Sequence, residues 1–286
     1  MSATYTTISG FFVQDDPAAV GSAIGALPPR FGLLDDSADC WATFKAKIDE
    51  LNARAPAGTA YKVFWLGRHG QGYHNLAEAK YGSRAWDDHW SKLNGDGETV
   101  WGPDPLLTRL GELQAEEAHA AWLQEAPRGV PLPQTCFASP LKRALDTWKI
   151  TFDRAGAAAV LPAEARRVLV LENCREEYGV HTCDLRSTLS HLRTLYTPPT
   201  YAFEAGFAEE DPLWDADERE STPHRIGRAI SVLDTAFAGD ATYISITAHG
   251  GFINGFLNAV GRPNYSLPTG GVLPIVVQRT AGAPAN

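Results

Sequence analysis

Apolar residues fall in short dense runs with helical stripes between them. Tyr61-Lys62-Val63-Phe64-Trp65, Gln134-Thr135-Cys136-Phe137-Ala138-Ser139, Arg167-Val168-Leu169-Val170-Leu171-Glu172, Tyr243-Ile244-Ser245-Ile246-Thr247-Ala248 and Val272-Leu273-Pro274-Ile275-Val276-Val277 are strand-like in length and composition. Ahead of the first run, segment 37–54 carries Trp41, Phe44, Ile48 and Leu51 at helical spacing. Thr108 is placed to cap a helix through about Gln124, Pro140 to open another with Arg143 in its first turn, and a third spans about Pro223 to Phe237. The alternation predicts an α/β fold: a three-layer α/β/α sandwich around a mostly parallel central sheet. Pro274 marks the last strand as an edge. Segment 197–223, with Pro198-Pro199 and Glu209-Glu210-Asp211, reads as a connection outside the sheet.

Length and composition narrow the class. A chain of 286 residues, 44% hydrophobic and 21% charged, suits one large domain over 1–286. No apolar run approaches the about 18 residues that a spanning helix needs. The first ten residues carry neither a basic leader nor a sustained apolar stretch, so a cytoplasmic protein is expected. A net charge of −9 disfavours nucleic acid and anionic membranes as partners. A small phosphorylated substrate is still compatible, because a few arginines dominate a cleft within a Debye length of roughly 8–10 Å. Cys40, Cys136, Cys174 and Cys183 include no Cys-x-x-Cys pair, which points to reduced, buried thiols.

The chemistry gathers where strands end. Arg68-His69-Gly70 follows the first run and His249-Gly250 follows the fourth, so two histidines converge from two strand ends. Arg143 and the polar stretch Asn173-Cys174-Arg175-Glu176-Glu177-Tyr178-Gly179 add an arginine and carboxyl groups. This is a phosphoryl-transfer inventory. Guanidinium forks match phosphate oxygens, a neutral imidazole is nucleophilic near pH 7, and a carboxylic acid can protonate a departing alkoxide.

These residues resemble the histidine phosphatase superfamily, also named after cofactor-dependent phosphoglycerate mutase. Arg68-His69-Gly70 with Asn75 is similar to its Arg-His-Gly…Asn signature, and Leu107-Thr108-x-x-Gly111-x-x-Gln114-Ala115 to its following helix. Ser139-Pro140-Leu141-x-Arg143-Ala144-x-x-Thr147 is similar to its second arginine motif, and Thr247-Ala248-His249-Gly250-Gly251 to its terminal His-Gly motif. The resemblance implies His69 as nucleophile, with Arg68, Asn75, Arg143, His249 and Gly250 on the phosphoryl oxygens. Glu172, Glu176 and Glu177 all precede Gly179; the stretch from Arg175 to Arg186 most resembles a fungal and plant branch, which favours Glu176 as the acid.

The activity this resemblance implies is that of a metal-independent phosphatase acting on a small organic phosphate monoester through phosphohistidine, with no cofactor. Three alternatives use the same pocket: a phosphomutase, a non-catalytic phosphate-binding protein, and a biosynthetic enzyme for a specialised metabolite. His74, His181, Asp184 and Arg186 are candidates for lining the substrate pocket. Cys174, His181 and Cys183 match no usual zinc spacing, so no metal is assigned. Segments 76–105 and 180–215 are too long for ordinary connections and are expected to cap the site. Their aromatic residues suggest a partly apolar entrance for a sizeable carbon skeleton, although packing among themselves is the simpler use of Trp86, Trp90, Trp101, Phe203, Phe207 and Trp214. The sequence leaves the oligomeric state open.

Overall fold

The computed structural model describes residues 3–154 and 156–282, so Met1 and Ser2 of the N-terminal segment lie outside the described residues. The elements run β1 (Thr4–Ile8), α1 (Gly21–Ile24), α2 (Cys40–Ala53), β2 (Thr59–Arg68), α3 (Tyr73–Tyr81), α4 (Ser83–Asp88), α5 (Arg109–Glu125), β3 (Thr135–Ala138) and α6 (Lys142–Phe152). They continue with β4 (Val168–Val170), α7 (Leu189–Leu195), β5 (Tyr201–Phe203), α8 (Thr222–Ala238), β6 (Tyr243–Ala248), α9 (Gly250–Ala259) and β7 (Val272–Thr280). One seven-stranded sheet has the order β1-β7-β2-β6-β3-β4-β5. Strands β2, β6, β3, β4 and β5 are mutually parallel, and β7 runs antiparallel to both of its neighbours.

The period of two along each strand assigns the layers. Val63 and Trp65 of β2 join Trp41, Phe44 and Ile48 of α2, Trp122 of α5 and Trp148 of α6 in one core. Phe64 and Leu66 face the other way, onto Val232, Leu233 and Phe237 of α8 and Phe252, Phe256 and Leu257 of α9. Both faces of the sheet are therefore covered. The expected three-layer arrangement is present, and the Thr108 side chain caps α5 as anticipated by accepting from Gly111 N. Helix α6 begins at Lys142, two residues later than Pro140 suggested.

Two readings of the sheet need correction. Strand β7 is not an edge: β1 lies outside it. The strand tolerates Pro274 because hydrogen bonds to β2 fall on alternate residues. Arg68 N donates to Gly271 O, whereas Val272 N turns away from β2 to Ala26 O. By that alternation the missing N–H of Pro274 also faces away from β2, beyond the end of β1, whose Ile8 is paired with Val276. The second correction concerns 197–223, which does supply a strand: Tyr201–Phe203 extends the sheet beyond β4. Segment 180–215 therefore includes a strand of the sheet.

The two excursions share a small core of their own. Ala77, Trp86, Trp101 and Cys183 form a separate buried cluster, with Tyr81 and Trp90 packed against it. Trp101 Nε1 and Thr182 Oγ1 both donate to Leu93 O, at 2.7 Å each, joining the two excursions. The tryptophans Trp86 and Trp101 are consumed by this packing and take no part in an apolar entrance. Trp101→Ala should accordingly remove about 3–5 kcal/mol of local packing. Hydrogen exchange should then accelerate across 83–105 while the amides of β2 and β6 keep their protection.

Candidate active site

Strand register brings the two histidines together. Arg68 pairs with Ala248 at the ends of β2 and β6, so His69 and His249 are the next residues on adjacent parallel strands. Their ring centroids lie 4.9 Å apart, and His69 and His249 are both buried. His74, in the first turn of α3, places a third ring 5.4 Å from His69. The β3 end adds Ser139, whose Oγ lies 2.7 Å from His249 Nε2.

Between β2 and α3 the backbone is held by its neighbours. Gly70 N donates to Thr147 Oγ1 at 3.0 Å, Gln71 N to Gln114 Oε1 at 2.7 Å, and Thr108 N to Gln71 O at 2.8 Å. A Cβ on Gly70 would sit 2.2 Å from Gly111 O, and one on Gly111 would sit 2.1 Å from Gln71 O. The loop and the start of α5 therefore touch backbone to backbone, which only glycine at both positions permits. Asn75 Oδ1 accepts from Gly72 N at 3.0 Å, leaving its amide nitrogen as the free donor. Gly250 opens α9 directly after His249, where a helix start carries uncommitted N–H groups.

Protonation follows from these contacts. His69 Nδ1 lies 2.6 Å from Gly70 O. A carbonyl only accepts, so Nδ1 carries the hydrogen and Nε2 carries the lone pair. Burial, reinforced by Arg143, holds the imidazoles of His69, His74 and His249 well below the usual histidine range. Arg143 is fully buried: Nη1 donates to Cys183 O and Nη2 to Asp184 Oδ1. The side-chain atoms Arg68 Nε, Arg143 Nε, His74 Nδ1 and His249 Nδ1 are buried without a protein partner. Such a concentration of unmet polar groups, two of them on guanidiniums, calls for an anionic ligand.

The three glutamates have different surroundings. Glu172 receives Arg175 Nη1 at 3.0 Å and Arg186 Nε at 2.9 Å. Glu177 is paired with Arg219 and Arg225. Glu176 accepts from the Glu177 backbone N–H, at 2.9 Å, and has no guanidinium bonded to it. Burial, together with the neighbouring Asp184 carboxylate, pushes its carboxyl up. It also packs so closely on the start of α9 that a Cβ at Gly251 would lie 2.0 Å from Glu176 Oε1. Of the three, Glu176 is the one that can hold a proton without breaking an ion pair.

The pocket candidates divide. His74 lies beside His69, and partly buried His181 meets the Trp86 ring at 6.1 Å. Asp184 and Arg186 are buried structural groups rather than pocket walls, a correction. Asp184 accepts from Arg143 and from Arg219 Nη1 at 3.0 Å, while Arg186 is spent on Glu172 and the carbonyls of Ser187, Ala208, Glu209 and Glu210. His181, Cys183 and Asp184 do bring nitrogen, sulfur and oxygen within 4.8 Å of one another. Both Asp184 oxygens are already held by guanidiniums, and burial pushes the Cys183 thiol up, so the trio fits a cation poorly. All four cysteines are buried and unpaired. Sequence alone assigns no role to Ser139 or Arg219: a serine before Pro140 and an arginine in an acidic stretch look like a turn and a solvated charge. Among the described residues, no helix is long and apolar enough to cross a membrane.

An imidazole pair at adjacent strand ends, flanked by two guanidiniums and one unpaired carboxyl, defines a class of phosphate-handling α/β protein. The chain belongs to the histidine phosphatase superfamily, whose branch 1 model matches residues 64–269. It is 40% identical over 288 residues to a "Probable phosphoglycerate mutase" of Arthroderma benhamiae, covering 96% of this chain and 84% of that protein. A protein of the same description from Saccharomyces cerevisiae is 34% identical over 235 residues, covering 76% of this chain and 79% of the relative. Among solved structures, a phosphoglycerate mutase from Thermus thermophilus aligns with a TM-score of 0.40 and 21% identity, over 74% of this chain and 91% of its own.

A histidine held below its usual range binds fewer protons in the folded than in the unfolded chain once pH falls under about 6.5. Each of the three buried imidazoles therefore takes stability away as pH drops through 6.5. His74→Gln should flatten the fall in unfolding free energy between pH 6.5 and 5 by up to about 1.4 kcal/mol per pH unit. Urea titrations of the two proteins across that range measure it.

Proposed function

We propose that this chain is a phosphatase that hydrolyses a small organic phosphate monoester through a phosphohistidine. The observation that carries the reading is the fixed tautomer of His69: its Nδ1 hydrogen is committed to Gly70 O, which leaves Nε2 as an unprotonated nucleophile among buried guanidiniums. Arg68, Arg143, Asn75, His249 and the Gly250 N–H hold the non-bridging oxygens. His69 Nε2 attacks phosphorus in line with the P–O bond to the leaving alcohol. That bond breaks as the Glu176 carboxyl donates its proton to the departing oxygen. Glu176, now a carboxylate, takes a proton from water, whose oxygen attacks the phosphohistidine; phosphate leaves and His69 Nε2 regains its lone pair.

Charge on the phosphoryl oxygens is met by guanidiniums aimed in advance. The reaction on this reading proceeds without a bound metal. Asp184, Arg219 and Arg225 are charged groups that face the Glu176 carboxyl, which favours a polar leaving alcohol over an apolar skeleton. The mutase reaction named for the fungal relatives would use the same residues. It differs in returning the phosphoryl group to the organic acceptor instead of to water, so single-turnover release of inorganic phosphate separates the two.

His69→Ala should abolish turnover while the unfolding midpoint shifts little. Alkaline quenching of wild-type enzyme with labelled substrate should leave an acid-labile label on His69, and an active His69→Ala would sink the mechanism. Glu176→Gln should slow alkyl phosphates by roughly 10²-fold or more and aryl phosphates far less, since a phenolate departs with less proton donation. Equal slowing of both would remove Glu176 as the acid.

Activity should survive exhaustive EDTA treatment, and orthovanadate should inhibit as an analogue of the five-coordinate transition state. Loss on chelation with recovery on adding Zn²⁺ or Mg²⁺ would point to metal chemistry instead. A panel comparing kcat/KM for hydroxyl-rich and for apolar monophosphates tests the leaving-group preference, which an apolar winner would reverse.

A further inference from the structure

The backbone that carries Glu176 has no regular secondary structure: residues 175–180 belong to neither strand nor helix. A general acid displaced by an ångström loses much of its effect, so something must hold this segment. One side chain from a neighbouring helix reaches it. Arg228, on α8, is buried at 4% exposure. Its Nη1 donates to Asn173 O at 2.8 Å and Arg175 O at 3.0 Å, and its Nη2 to Glu176 O at 3.2 Å. The remaining donors form a fork onto Glu220, at 2.6 Å from Nε to Oε1 and 2.6 Å from Nη2 to Oε2. The guanidinium thus spends all its N–H groups on one carboxylate and three carbonyls of the acid-bearing segment.

Two further contacts tighten the hold. Glu220 N donates to Tyr178 O at 3.0 Å, so the carboxylate partner of Arg228 also grips the segment through its own backbone. The Tyr178 ring has two guanidiniums over it, Arg228 at 5.2 Å and Arg175 at 5.4 Å from its centroid. Held this way, the segment delivers the Glu176 side chain against Gly251, where there is no Cβ to push it aside.

We infer that Arg228, locked by Glu220, is the positioning residue for the general acid of this enzyme. The inference rests on the phosphatase reading above. Lysine keeps the charge but has no planar fork, so it cannot reach three carbonyls and a carboxylate at once. Arg228→Lys should therefore imitate Glu176→Gln in kind. Its kcat for methyl phosphate should fall at least about tenfold more than its kcat for p-nitrophenyl phosphate, because only the alkyl leaving group depends on the proton. Deuterium uptake by the peptide 172–180 should rise in the same variant, a readout that needs no activity.

If Arg228→Lys does not fold, Glu220→Gln serves in its place, since it loosens the fork while leaving the guanidinium present. A variant that loses both substrates by one factor, or that leaves uptake over 172–180 unchanged, would overturn the assignment. Glu176→Gln run alongside keeps the two levels apart. If Glu176→Gln shows the leaving-group dependence and the Arg228 and Glu220 variants do not, the positioning role alone is wrong. If Glu176→Gln shows none, the acid reading falls and this inference falls with it.

Discussion

A single hydrogen bond decides what His69 can do: its Nδ1–H donates to the carbonyl of the next residue, Gly70, at 2.6 Å. With that proton committed, the lone pair is fixed on the other nitrogen. The bond exists only if the Gly70 carbonyl points back at the ring, so the surrounding elements serve to fix one peptide plane. Thr147 from α6 holds Gly70 N, and the glycine-to-glycine approach at Gly111 brings α5 against the same turn. Thr108 and Gln114 secure Gln71. Side chains outside the histidine pair thereby set the tautomer of His69.

The acid side of the site is built on a different principle. Where β2 and β6 deliver their histidines from a hydrogen-bonded sheet, the stretches 175–188 and 204–211 run through largely irregular backbone with few ladders to satisfy their carbonyls. Arginines take over that task. Arg175, Arg186 and Arg228 together donate to carbonyls of Asn173, Arg175, Glu176, Asp184, Ser187, Ala208, Glu209 and Glu210. Each is balanced by a carboxylate, in Glu172, Asp211 or Glu220. A buried pair of this kind adds little net stability over an apolar replacement, but removing one partner strands the other, which makes the conformation hard to leave.

Much of this was legible from residue order. Strand runs ending in Arg68-His69 and His249 announced the site because neighbouring parallel strands in register place such residues side by side. The sheet order was not legible: Pro274 suggested an edge, and only the pairing with β1 and the alternation of hydrogen bonds show why it is tolerated. Tyr201–Phe203 was too short to stand out as a strand. Asp184 and Arg186 looked like pocket residues because polar groups near a catalytic segment invite that reading, whereas their burial and pairing make them supports. Arg219 and Arg228 gave no local signal, since their partners lie 35 or more and 8 or more positions away.

The cap has one property that the sheet lacks: its core of Ala77, Trp86, Trp101 and Cys183 shares no member with the two clusters flanking the strands. Its tryptophans can be traded for others without disturbing the packing beneath His69. Cys183 couples the two, through its carbonyl to Arg143. Descendants of such a chain could remodel this outer cluster while inheriting the buried histidine pair unchanged. Diversification of substrate would then proceed by exchange of an upper storey over a fixed foundation, with the peptide at Cys183 as the joint that must be preserved.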